Sequence, residues 1–428
     1  MSPQLDALRV ALLVYRGNPH SGGQGVYTRE LAREMVALGH RVTVFSGQPY
    51  PELSDGTDFV AVPSLDLYRQ PDPFRCPKGR EFQSTIDVLE FAMMCTAGFP
   101  EPLTFSLRAR RLLRARIGHF DVVHDNQCLG TGIAGMIEDG WPVMATLHHP
   151  ITVDRRLDLA HATTLRRRIP LRRWYGFLGM QMRVIQKIPR IVTVSESSKR
   201  DICQEMGARP DQLRVVPVGV DVDVFRPRPE VAKVPGRIMA TSSSDVPMKG
   251  VVPLLEALAK LRTERDVELV IIGTPRKDSD VRATIDRLGL ADTVSFHGGV
   301  TTDRIVELYA SSQVAVVPSL YEGFSLPAIE AMACGVPLVA TTGGAIPEVV
   351  GADGETGLLV PPGDPSALAL ALGRVLDDPA LAGRLREQGR RRVLDRFTWR
   401  ACAFATLDHY RWTIEDAARR RGRAAAGA

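Results

Sequence analysis

The chain is poor in the features that would take it out of the soluble or peripheral proteins. It has six cysteines in 428 residues (Cys76, Cys95, Cys128, Cys203, Cys334 and Cys402), and no two stand as Cys-x-x-Cys. That scatter excludes a zinc ribbon and a disulfide framework, and it suits a reducing, cytoplasmic setting. No apolar run reaches the roughly 18 residues that a bilayer span needs. The N-terminus MSPQLDALRV has no apolar stretch of the secretory kind, so no signal peptide is expected. Neither sign of charge dominates: the formal net charge is +5, too small to argue for nucleic acid. No repeat of solenoid period is present.

What is present is an ordinary globular balance, 44% apolar and 24% charged, over a length that suggests two domains. Short apolar runs recur: LRVALLVY (8–15), RVTVFSG (41–47), FDVVHDN (120–126), PVMATLHH (142–149), RIVTVS (190–195) and LRVVPVG (213–219). The second half adds RIMATSS (237–243), ELVIIG (268–273), QVAVVPS (313–319) and PLVATTGG (337–344). Near-continuous Val, Ile and Leu marks strands buried on both faces of a parallel sheet. Helical patterns lie between them. In VYTRELAREMVALG (26–39), Tyr27, Leu31, Met35 and Leu38 share a face and Gly39 stops the helix. The alternation predicts a doubly wound α/β architecture: two similar parallel-sheet domains facing a cleft, with ligands at the carboxyl ends of strands. FRPRPEVAKVPG (225–236) has a linker's composition, and RRRGRAAAGA is expected to be a disordered tail.

One stretch carries chemistry, YEGFSLPAIEAMACG (321–335). The strand QVAVVPS is expected to end at Leu320, Gly323 to permit a sharp turn, and Ser325 to cap a helix with Pro327 in its first turn. A helix N-terminus offers free N–H groups and partial positive charge, an anion site. Glu322 and Glu330 beside it would repel a bare phosphate. They make sense if the anion also carries hydroxyls, because carboxylates accept strongly from sugar OH groups. A pyrophosphate between two sugars meets both demands, with Glu322 facing the transferred sugar and Glu330 the ribose.

The E-x7-E spacing in EGFSLPAIEAMACGVPLVATTGG resembles the donor signature of retaining glycosyltransferases of family 4, which have the GT-B fold of two Rossmann-like domains. Residues 21–45, 215–225 and 354–372 resemble that family's first βα unit, its approach to the second domain, and its last strand and helix. The resemblance implies an N-terminal acceptor domain over 1–228, a donor domain over 229–397, and a final helix and tail over 398–428 crossing back to the first domain. It implies a donor site of Gly22, Gly23, Lys249, Glu322, Gly323, Phe324, Ser325, Leu326 and Glu330, with Glu322, His148 and Lys249 at the reaction. Gly22 and Gly23 would bring backbone N–H groups to the diphosphate, whereas a plain turn into a helix explains the same residues. Gly23-x-Gly25 makes a poor dinucleotide fingerprint. Lys249 would neutralise the leaving diphosphate. His148, with His149 as competitor, would meet a sugar hydroxyl.

The chain departs from the family where an arginine usually precedes the lysine; here stand Thr241, Ser242, Ser243 and Ser244. A lost charge partner costs roughly 2–4 kcal/mol of barrier unless hydroxyls, backbone amides or Arg276 replace it. Asp221-x-Asp223 and Asp278-x-Asp280 imitate a metal–diphosphate motif of the other glycosyltransferase fold, but they fall in a linking segment and a loop. No metal or other cofactor is expected, the nucleotide sugar being a co-substrate. Residues 151–190 hold ten Arg or Lys against Asp154 and Asp158, with apolar residues from Leu165 to Met180 interleaved. Such a stretch either docks on an anionic membrane or is a solvated helix face over ordinary core.

The expectation is therefore a cytoplasmic enzyme, peripheral on the inner membrane face if 151–190 docks there. It would pass a sugar from a UDP- or GDP-linked donor to a hydroxyl of a glycan, lipid or small molecule with retention. Nucleic acid is not among its expected partners. The alternatives are a sugar-nucleotide epimerase or hydrolase on the same fold, or a membrane-docking relative without turnover.

Overall fold

The structure is a computed structural model that describes residues 7–18, 23–69, 71–162, 164–242 and 245–426. The chain forms two compact units. One takes the chain up to Val194, Lys199–Val216 and everything from Cys402 on; the other takes Ser195–Ser198 and Pro217–Ala401.

The first unit holds seven strands: β1 (Arg9–Val14), β2 (Arg41–Ser46), β3 (Asp58–Ala61), β4 (Val122–Asn126), β5 (Val143–Leu147), β6 (Arg190–Thr193) and β7 (Leu213–Val215). The second holds six: β8 (Arg237–Thr241), β9 (Glu268–Ile272), β10 (Val294–His297), β11 (Val314–Val317), β12 (Leu338–Thr341) and β13 (Leu358–Val360). The sheet orders are β3-β2-β1-β4-β5-β6-β7 and β10-β9-β8-β11-β12-β13, and every strand pairing is parallel. Each unit thus repeats one doubly wound plan, in which the order reverses beside the first strand and leaves a crevice at the carboxyl ends.

The continuous apolar runs follow from burial on both faces. Along β8, Ile238 and Ala240 join one core with Leu254, Leu258 and Leu372, while Met239 between them joins the other with Val306, Ile329 and Met332. A strand with two buried faces has no polar alternate positions. Two strands had no such signal. β3 and β10 lie at sheet edges and are mostly exposed or half-exposed, so DFVA and VSFH carry no apolar run to detect.

β4 shows how a polar strand is buried. His124 donates or accepts at the Tyr410 hydroxyl, 2.7 Å from Nδ1, and at Thr146 Oγ1, 2.6 Å from Nε2. Both ring nitrogens are satisfied, and desolvation holds the imidazole neutral, its pKa lowered to about 3. Two expectations need correction here. The strand before the motif stops at Val317 rather than Leu320, because Pro318 has no N–H for the ladder and the Leu320 N–H donates instead to Met248 O at 2.7 Å. The expected disordered tail is instead helix: Trp399–Ala426 is continuous, in keeping with the helix-forming Ala and Arg of its end.

Candidate active site

In the second unit, β11 leads through residues 318–325 into the helix Leu326–Ala333. Ser325 is fully buried and caps it, its Oγ accepting the Ala328 N–H at 3.4 Å; Pro327 stands in the first turn, where no N–H is needed. Glu322 is buried at the head of this turn. Its Oε1 accepts from Lys249 Nζ at 2.8 Å and from Ser319 Oγ at 2.7 Å. Residues 73 apart in the chain therefore form one charged pair, with the Lys249 side chain 30% exposed and the Glu322 side chain 10% exposed.

Glycines hold that pair in place, but not Gly323, the glycine expected to make the turn. Gly323 is not among the positive-φ residues, and its carbonyl accepts from the Ser195 and Ser198 hydroxyls at 2.7 and 3.0 Å. The left-handed positions are Gly250, φ 66°, and Gly344, φ 65°. A Cβ on Gly250 would lie 1.9 Å from the Pro318 carbonyl oxygen, and one on Gly344 2.3 Å from that of Glu322. Only glycine lets these backbones approach so closely.

Glu330 is half-buried one turn into the helix. Among the described residues its carboxyl has no hydrogen-bond partner, and desolvation alone pushes its pKa up to about 7. It stands as a free acceptor. Phe324 packs edge-on against Phe397, 5.9 Å between centroids, and joins the core with Leu326 rather than facing solvent.

A pocket of about 530 Å³ opens at the carboxyl ends of β8 and β9, lined among others by Thr241, Ser242, Asp245, Lys249, Thr274 and Pro327. Thr241 Oγ1 meets the buried Tyr309 hydroxyl at 2.9 Å, whereas the buried Ser242 Oγ has no partner among the described residues. Ser243 and Ser244 lie outside the described residues.

In the first unit, a pocket of about 800 Å³ is lined by Tyr15, Arg16, Asp66, Tyr68, Arg69 and His148, and by the start of the helix Gly23–Ala37. Gly23 lines it as the first helical residue, with nothing within 4 Å of where a Cβ would stand. The crowded glycine is Gly25, whose Cβ would meet Asn18 O at 2.0 Å. Gly22 lies outside the described residues. His148 follows β5; its Nε2 is 2.9 Å from Asn126 Oδ1, and its ring stands edge-on to Tyr27 at 4.8 Å. Burial, then the neighbouring His149, lowers its pKa to about 3, so it is a neutral imidazole near pH 7. His149 also lines the pocket but is more exposed, 3.1 Å from Asp154 Oδ2.

Glu101 and Arg16 gave no signal in the sequence. Glu101 is buried with Arg16 Nε 3.2 Å from its Oε2, and desolvation carries its pKa to about 8 despite that guanidinium. Their separation of 85 positions along the chain kept the pair from view. In the basic stretch, Tyr175, Phe177 and Leu178 are buried, with Leu171, Trp174 and Met180 packed against them. Leu165 and Ile169 alone of the interleaved set stay exposed, at 74% and 65%. Asp221 and Asp223 form a turn, Asp221 Oδ1 accepting the Asp223 N–H at 3.0 Å. Among the described residues no cluster of three or more His, Cys, Asp or Glu is placed to hold a metal, and no helix is long and apolar enough to cross a membrane.

Two parallel-sheet units with strand-end pockets, one carrying a lysine–glutamate pair at a capped helix, define a class that comparison with known proteins names. The family model for Glycosyltransferase Family 4 matches residues 21–224, and that for Glycosyl transferases group 1 matches residues 226–392. The chain belongs to the GT-B glycosyltransferases of family 4 and is a glycosyltransferase enzyme. It is 51% identical over 408 residues to the MMP alpha-(1->4)-mannosyltransferase of Mycolicibacterium hassiacum, covering 95% of this chain and 98% of that one. Among solved structures it superposes on a sucrose-phosphate synthase from Thermosynechococcus elongatus with a TM-score of 0.72 at 24% identity, over 96% of this chain and all of that one. It superposes on Anabaena Alr3699/HepE in complex with UDP-glucose at 0.68 and 17% identity, over 96% of this chain and 100% of that one.

Proposed function

We propose that the chain transfers a mannosyl group from a nucleoside-diphosphate mannose, held by the second unit, to a hydroxyl of a sugar acceptor held by the first, with retention and in α-(1→4) linkage. The observation that carries this reading is the Lys249–Glu322 pair at the head of the capped helix Leu326–Ala333, with the unpartnered Glu330 carboxyl one turn on. A lysine beside a helix N-terminus stabilises charge developing on a leaving diphosphate. Glu322 and Glu330, as acceptors, hold sugar hydroxyls. Lys249 also neutralises Glu322, so the carboxylate does not repel the phosphates.

In this reading Glu322 positions the sugar and the departing diphosphate takes up the acceptor's proton, so no protein carboxylate serves as base. His148, held neutral and oriented by Asn126, donates to or accepts from a sugar hydroxyl without adding charge. The mannosyl group and linkage are taken from the 51%-identical relative's name. Lys249 and the helix do the work a metal would otherwise do. This reading assigns the reaction to the cytoplasm, a reducing setting that the six free cysteines suit.

The test is incubation of the purified chain with GDP-mannose, UDP-glucose or ADP-glucose and a mannoside acceptor, followed by NMR assignment of the product anomer. An α-mannoside from GDP-mannose supports the reading. A β product overturns retention, and release of free sugar at a rate unaffected by acceptor favours a hydrolase.

A second reading concerns the surface. The helix Leu165–Trp174 exposes Leu165 and Ile169 among the exposed Arg166, Arg167, Arg172 and Arg173. Two apolar side chains within a basic rim fit the interface of an anionic membrane. Co-sedimentation with phosphatidylserine vesicles, absent with phosphatidylcholine and lost in Leu165→Glu/Ile169→Glu, is expected. Equal behaviour on both vesicles removes the proposal.

A further inference from the structure

The pocket at the ends of β8 and β9 is short of usable positive charge. Among the described side chains lining it, Lys249 is the only cation, and it is already engaged with Glu322 at 2.8 Å. Asp245 adds a carboxylate to the same wall, and its buried Oδ1 has no hydrogen-bond partner among the described residues. Taken alone, this wall sets one acid, Asp245, against one base that Glu322 already engages, a poor receptor for a diphosphate with two or three negative charges.

The missing charge stands at the rim. Arg276 is two residues past Thr274, which lines the pocket. Its backbone N–H donates to Asp245 Oδ2 at 2.9 Å, fixing the loop to the wall. Its Nε lies 3.5 Å from the same oxygen, too long for a hydrogen bond, and its side chain is 76% exposed. Among the described residues, its guanidinium makes no hydrogen bond. The group is therefore tethered at the pocket by its own backbone and keeps its fork of donors unspent, the geometry that suits bidentate contact with phosphate oxygens.

We propose that Arg276 is the second cation of the diphosphate subsite: its guanidinium turns from Asp245 into the pocket when the nucleotide arrives, supplying with Lys249 the charge that Thr241 and Ser242 cannot. The inference rests on the donor reading above and adds a residue to it. Arg276 acts on the phosphates and leaves the base to other residues.

Calorimetric titration of the full-length chain with GDP and UDP, each against its monophosphate, tests this. In Arg276→Ala, affinity for the bound diphosphate is expected to fall tenfold or more and that for the monophosphate less than twofold, with an unchanged melting temperature. Arg276→Lys should recover part of the loss. Equal losses for diphosphate and monophosphate would mark a loop-holding role and overturn the proposal, as would an unchanged diphosphate affinity. Binding of neither diphosphate by the wild-type chain would remove the donor reading itself. Tight wild-type binding with an indifferent Arg276→Ala removes only this inference.

Discussion

The two units share one strand order and place their pockets at the same edge of the sheet, yet the pockets are chemically different. The pocket in the first unit mixes the charged Arg16, Asp66 and Arg69 with His148, whose burial lowers its pKa to about 3, and Arg16 pairs with the buried Glu101, whose pKa is raised to about 8. In the second unit, charge is retained and paired, with Lys249 on Glu322. One topology thus supplies a location twice, and the side chains at the strand ends decide what each location can hold. A wall that includes a neutral imidazole suits hydroxyls; a wall with a lysine near a helix N-terminus suits an anion.

The sharpest way to break this contrast is to remove the lysine of that pair. Lys249→Ala should lower the turnover of sugar transfer by about 10²–10³-fold, the effect of losing one preorganised charge at a developing anion, with the circular dichroism spectrum unchanged. A loss under threefold would mean that the pair is structural.

Two glycines at the pockets differ as well: Gly250 is crowded and Gly23 is open. Gly250→Ala must place a Cβ against the Pro318 carbonyl at positive φ, so thermal unfolding should show a loss of at least about 2 kcal/mol together with weakened donor binding. Gly23→Ala, in a helix with open space around it, should change stability by less than about 1 kcal/mol. Matching losses at both positions would contradict the packing described.

Glu330 gives a smaller, pH-dependent contrast. Its carboxyl titrates near 7 in the unliganded chain, and the ionised form is the better acceptor of hydroxyls. Donor affinity should therefore weaken as pH falls below about 7, by up to tenfold per unit, and this slope should disappear in Glu330→Gln. A wild-type affinity that is flat from pH 6 to 8 would sink the assignment.

The smallest effect belongs to Glu101. Its folded pKa, about 8, is raised above its ordinary 4.5, so the folded chain binds that proton more tightly than the unfolded chain. The stabilisation is full below pH 4.5 and is lost as pH rises toward 8. His148 and His124, both lowered to about 3 from 6.5, act in the opposite sense, adding stability as pH rises from about 3 to 6.5 and no more above it. Melting curves of Glu101→Gln should thus fall less steeply than wild type between pH 5 and 8.

Legibility followed burial. The strands β8, β9, β11 and β12, apolar on both faces, announced themselves as Val and Ile runs, while the edge strands β3 and β10, open to solvent, did not. Ser325 and Pro327 were legible because capping acts over three or four residues. Gly323, expected to permit the sharp turn, is not among the positive-φ residues; Gly344, at the end of the same motif, and Gly250, from elsewhere in the chain, are.

By itself, then, the amino-acid sequence determined the alternation of strand and helix, the capped turn, and the Glu322–Glu330 spacing, because periodicity and capping are local. Only the tertiary structure decided that Lys249 and Ser319 converge on one oxygen of Glu322, that Asp245 tethers Arg276, and that Glu101 keeps its proton near neutral pH. Coulomb energy and desolvation depend on distance through space and on excluded water, and neither is written in the separation of residues along a chain.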